Sequence, residues 1–162
     1  MKILRTVATG VLAMLFSVSC TTKDEIVIIP SDYPEPIGSY TFAGERFDLR
    51  TAAAGEDTTY FYEFMFSPLP SSESFTTYIY FAVASYFEGK SWNVEDMNHN
   101  YDYMLVYEDP VHYYSVYREL KGGTIFVEDL GSRRYNVRLN VRLADGTPLN
   151  LEYRGGFELL RD

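Results

Sequence analysis

The sequence predicts an all-β fold, an antiparallel β-sandwich of roughly eight to ten strands, with a small closed barrel as the alternative. Three observations lead there. From Ser39 onward no helical period persists over a window of about 11 residues. β-Branched and aromatic runs recur instead, and each is bounded by turn residues. The third is the strict alternation of Tyr135, Val137, Leu139, Val141 and Leu143 with Arg134, Asn136, Arg138, Asn140 and Arg142, which marks a strand with one buried and one wet face.

Taken in order, the candidate strands are Tyr40 to Phe42, Arg46 to Thr51, Thr58 to Phe66 and Thr76 to Phe87. Next come Tyr101 to Glu108, His112 to Arg118, Gly123 to Asp129 and Arg134 to Ala144, then Leu149 to Tyr153 with a continuation from Phe157 to Leu160. Ala43-Gly44, Asp109-Pro110, Lys121-Gly122 and Gly131-Ser132 separate them with turn chemistry. The last strands carry a register. A loop of Ala144, Asp145 and left-handed Gly146 opposes Val141 to Leu149, Leu139 to Leu151, Val137 to Tyr153 and Arg138 to Glu152. A loop of Leu130, Gly131 and Ser132 opposes Val127 to Tyr135 and Glu128 to Arg134, so residues 123 to 153 form a meander. Around Tyr78 to Phe87 both faces are apolar. Such a strand is covered twice or shows an aromatic row at a surface, and both the sandwich and a barrel, resembling lipocalin-like meanders, accommodate it.

Composition narrows the function. The chain has 162 residues, enough for one compact domain, and 15 Tyr with 11 Phe lift its aromatic content to 17%. Net charge is −9, and −11 once residues 1 to 19 are removed, with 12 basic against 23 acidic residues left. Such a field repels phosphates, so nucleic acid is set aside as a partner. One cysteine forbids an intrachain disulfide, and with two histidines it cannot close a zinc site.

That cysteine has another use. Lys2 and Arg5 precede an apolar run from Val7 to Val18 that is too short to span a bilayer and has signal-peptide length. It ends in Ser17-Val18-Ser19-Cys20, which resembles the lipobox of bacterial lipoproteins. The resemblance implies lipidation at Cys20, cleavage before it and a membrane anchor. Phe16 and Ser17 depart from the commonest form and are nearer to the looser versions of Bacteroidota. Lys23-Asp24-Glu25 looks like the signal that exports such lipoproteins to the outer face of the outer membrane; the alternatives are a charged spacer and a periplasm-facing anchor. The whole chain is similar to small surface lipoproteins of gut-type Bacteroidota. Residues 20 to 38, with Pro30, Pro34 and Pro36, read as a tether in which Ile26 to Ile29 is a candidate edge strand. A single domain follows from residue 39 to 162.

Two constellations remain. Asp96, Asn98, Asn100 and Asp102 alternate like the first ligands of a calcium loop. Tyr101 stands where that loop needs Gly, and Tyr107 where it needs a bidentate Glu, so a polar loop with Asx turns is the plainer reading and calcium the alternative. Trp92, Tyr101 and Tyr103 are the candidate ligand-facing rings, Trp92 and Tyr101 being expected at the surface, since flat rings beside Asp and Asn hold sugars. For most of the tyrosines a place in the core, hydroxyl at its rim, is the plainer reading. Arg134, Arg138 and Arg142 make a basic stripe, expected to be a wet face neutralised by Glu128 and Glu152. No Gly-x-Ser-x-Gly, Gly-rich phosphate loop or His-Glu-x-x-His occurs, and His99 and His112 read as a loop and a strand residue. No cofactor is expected. The sequence thus points to a non-catalytic binding or accessory module for a glycan or an outer-membrane partner protein, with assembly through an exposed edge strand as the alternative.

Overall fold

The computed structural model describes residues 33–55, 60–74, 76–98, 101–109, 114–117 and 120–160, those from 114 to 117 by backbone alone. Cys20, Lys23, Asp24, Glu25, Ile26 to Ile29, His99, Asn100 and His112 lie outside the described residues.

Twelve strands are described: β1 (Gly38–Phe42), β2 (Glu45–Leu49), β3 (Thr51–Ala54), β4 (Phe61–Ser67), β5 (Tyr78–Ala84), β6 (Ser91–Asn93), β7 (Tyr103–Asp109), β8 (Tyr114–Tyr117), β9 (Leu120–Asp129), β10 (Arg134–Leu143), β11 (Pro148–Gly156) and β12 (Glu158–Leu159). They form two six-stranded sheets, ordered β2-β1-β11-β10-β9-β6 and β12-β3-β4-β5-β7-β8. The fold is therefore a β-sandwich, and the barrel alternative falls because neither sheet closes on itself.

The stretch from Arg46 to Thr51, expected to be one strand, is two. β2 belongs to the first sheet and β3 to the second, and the chain crosses at Arg50, whose N–H donates to the Ser67 carbonyl at 2.9 Å. β5 stops at Ala84, short of the expected Phe87, because Ser85–Phe87 coils into a 3-10 turn. β6 was not foreseen; three residues are too few to show alternation. Tyr33 to Ile37, expected in the tether, form no strand but touch the domain: the Tyr33 hydroxyl donates to Glu73 at 2.7 Å, and Ile37 N–H to Leu49 O at 2.7 Å.

The β10–β11 register is the expected one, with Val141 opposite Leu149, Val137 opposite Tyr153 and Arg138 opposite Glu152, and Gly146 takes φ +92°. Between β9 and β10 the expected register is wrong by two residues. Val127 faces Val137, and Glu128 faces Asn136, whose amide donates to it at 3.1 Å. The turn consists of Gly131, Ser132 and Arg133, all at positive φ, and starts where the Asp129 carboxylate accepts the Gly131 N–H at 2.7 Å. A shift of two preserves parity, so the apolar face still points inward.

The core between the sheets is aromatic. Phe64, fully buried, has ring centroids of Tyr135 at 5.1 Å, Phe157 at 5.3 Å and Phe81 at 6.4 Å. Toward β1 and β2, Phe42 stacks on Tyr107 at 4.0 Å and Tyr40 on Phe47 at 5.1 Å. Burial, then neighbouring Tyr107 and Asp109, hold the Tyr40 hydroxyl well above the ordinary tyrosine range.

Candidate functional site

The large apolar side chains found exposed among the described residues are Ile37, Tyr60, Phe61, Tyr86 and Tyr101. Four of these five are aromatic and stand at one end of the second sheet. Backbone pairing brings them there: Phe61 opposes Ala84, Ser85 N–H donates to Tyr60 O at 2.9 Å, and Ala84 N–H donates to Asp102 O at 2.8 Å. The start of β4, the end of β5 and the approach to β7 thus meet.

The 3-10 turn after β5 sorts its two rings. Phe87 turns inward and is buried, while Tyr86 turns outward and is 64% exposed. Their centroids lie 4.2 Å apart, and Phe87 in turn meets Trp92 edge-on at 4.6 Å and 68°. A line of three rings therefore runs from the surface to the core. Trp92, expected at the surface, is only half-buried support for it. It opposes Ile125 across β6–β9 and packs against the core, with its Nε1 buried and without an acceptor among the described residues. The expectation of full exposure fails because the strand period turns Trp92 inward and leaves its neighbours Ser91 and Asn93 exposed. Tyr101 is 72% exposed. Tyr103, by contrast, is buried on the inner face of β7 opposite Val83, and burial raises its hydroxyl above the ordinary range.

Asp102 ties the end together. One of its oxygens accepts the Asn98 N–H at 2.6 Å and the other accepts the Tyr86 hydroxyl. That hydrogen bond, followed by burial and the carboxylate's charge, pushes Tyr86 up to about 12. Asp96 accepts instead from the Asn93 amide at 3.2 Å, in the 3-10 turn Val94–Asp96. Asp96, Asn98 and Asp102 are thus engaged locally, and among the described residues no group of three or more His, Cys, Asp or Glu is placed to hold a metal. Glu88 adds a second carboxylate near the turn, accepting from Tyr62 at 3.0 Å.

Tyr60, Phe61 and Tyr86 escaped the sequence reading. For Tyr86 a signal existed, a Tyr-Phe pair before Gly89 at φ +72°, where a strand must end. The arginine stripe lies elsewhere, on the outer face of the first sheet. Arg134, Arg138 and Arg142 are exposed, and Arg138 faces Glu152 as expected, but Arg134 faces Gly156, so Glu128 does not oppose it. The Arg138 guanidinium also covers the Phe126 ring at 4.1 Å.

No family model, curated protein or solved structure matches this chain.

Proposed function

We propose that this chain is a lipid-anchored, non-catalytic binding module of the outer-membrane surface that holds a glycan on its aromatic end. The observation that carries the reading is the meeting of Tyr60, Phe61, Tyr86 and Tyr101 at three adjoining strand ends, next to the carboxylates of Asp102 and Glu88. Flat rings cover the apolar faces of sugars, and carboxylates accept from their hydroxyls. The ring line through Phe87 to Trp92 stiffens Tyr86, which lowers the entropy cost of ordering it on binding. Cys20 and Lys23-Asp24-Glu25 supply the anchor and its outward routing by their resemblance to lipoprotein signals.

A partner protein is the second reading, because clustered tyrosines also make interface hot spots. Assembly through an edge strand has less in its favour. β2 carries exposed Glu45, Arg46 and Asp48, and the other edges, β6, β12 and β8, have only three, two and four residues, which discourages pairing.

Native gels cast with soluble polysaccharides test the glycan reading. At least one polysaccharide is expected to retard the wild type, and Tyr86→Ala/Tyr101→Ala to weaken that retention about tenfold or more. Equal mobility of wild type and variant in every gel would overturn it.

A further inference from the structure

The outer face of the first sheet carries a row that crosses five strands. Cross-strand pairing aligns Thr41 of β1 with Asn150 of β11, Asn150 with Asn140 of β10, Asn140 with Thr124 of β9, and Thr124 with Asn93 of β6. Four interstrand steps of about 4.8 Å make this row about 19 Å long. All five side chains are short, and each carries a hydroxyl or an amide. Beside them runs a taller row of Glu152, Arg138 and Phe126, and Arg142 rises on the other side. Short residues between long ones leave a trough, and a depression of about 430 Å³ lies there, lined by Thr41, Thr124, Asn140 and Asn150 and walled by Arg138 and Glu152.

We propose that this trough is a second binding site, which takes an extended glycan chain laid across the strands. An amide both donates and accepts, as does a sugar hydroxyl, so a row of amides at a fixed step can meet successive rings of one chain. Along the row the hydrogen bond from Asn150 Nδ2 to Thr41 Oγ1, at 3.3 Å, is long, and the Asn140 side chain is exposed. A protein interface would need an apolar centre, yet of the two aromatic residues lining the trough Tyr40 is buried in the core and Phe126 lies under the Arg138 guanidinium. Nucleic acid is opposed by the net charge of −9. The ligand class is that of the aromatic end, but the residues are different and lie on the other sheet.

Native affinity gels with neutral and uronic-acid-containing soluble polysaccharides separate the two sites. Asn140→Ala/Asn150→Ala, and independently Thr124→Arg, which fills the trough, should each weaken retention by at least one polysaccharide about tenfold. The unfolding midpoints should stay within error of wild type, because all three positions are on the wet face. Retention lost only in Tyr86→Ala/Tyr101→Ala would overturn the trough and leave the aromatic end standing. Retention lost only in the trough variants would support the trough and overturn the aromatic end. A wild type retained by no polysaccharide would overturn both.

Discussion

Phe64 sits on the inner face of β4, where the rings of Phe81, Tyr135 and Phe157 converge on it. Removing a fully buried phenyl ring loses its transfer free energy and leaves a cavity that a sandwich of rigid strands refills poorly. Phe64→Ala is expected to cost about 3–5 kcal/mol in urea unfolding. The exposed rings obey the opposite rule, and Tyr101→Ala should move stability by less than about 0.5 kcal/mol. Tyrosine also sets an alkaline limit. Burial first and then Glu63 push Tyr80 up to about 12, and Tyr40 lies higher still. The unfolded chain releases these protons near pH 10, so the folded state binds more of them above that point. Stability is fully present below about pH 10 and is lost as pH rises toward about 12. Urea midpoints measured between about pH 8 and 11 should therefore fall at the alkaline end, and a flat profile would contradict the burial of these hydroxyls.

At the scale of elements, glycines separate two kinds of constraint. Gly123 has φ +111°, and a Cβ there would run into the Asn140 carbonyl oxygen and stand 2.6 Å from Val141 Cα. Gly146 has φ +92° with nothing within 4 Å. Gly146→Ala should thus cost only the left-handed backbone, about 1–2 kcal/mol, whereas Gly123→Ala adds a clash with β10 and should cost about 2–5 kcal/mol in the same unfolding assay. The two glycines also show what was readable. Gly146 was legible, since only a three-residue loop kept Val141 and Leu149 on the same face. The turn before β10 misled because Ser132 and Arg133 also adopt positive φ, a conformation that sequence does not advertise for those residue types. β6 hid in three residues, and Trp92 was misplaced with it, since without a known strand its facing could not be assigned. Tyr86 was passed over because a continuous apolar run conceals the point at which a strand gives way to a turn.

At the scale of the molecule, two sheets pack around one aromatic core and leave two faces with distinct chemistry. One end of the second sheet is aromatic with carboxylates, and the outer face of the first is a row of amides and hydroxyls. The anchor proposed at Cys20 would need more than one acyl chain to be stable, at roughly 0.8 kcal/mol per buried methylene. Metabolic labelling with a fatty acid should mark the wild type and not Cys20→Ala, which should leave the membrane fraction; an unlabelled wild type would contradict the anchor. Binding of a glycan at the aromatic end is tested by titrating isotopically labelled protein, lacking residues 1 to 19 and with Cys20→Ser, with the oligosaccharides of a retarding polysaccharide while recording amide resonances. Shifts are expected at Tyr60, Phe61, Tyr86, Tyr101 and Asp102, whether or not a second set follows the trough, and shifts that bypass these five residues would refute binding at the aromatic end.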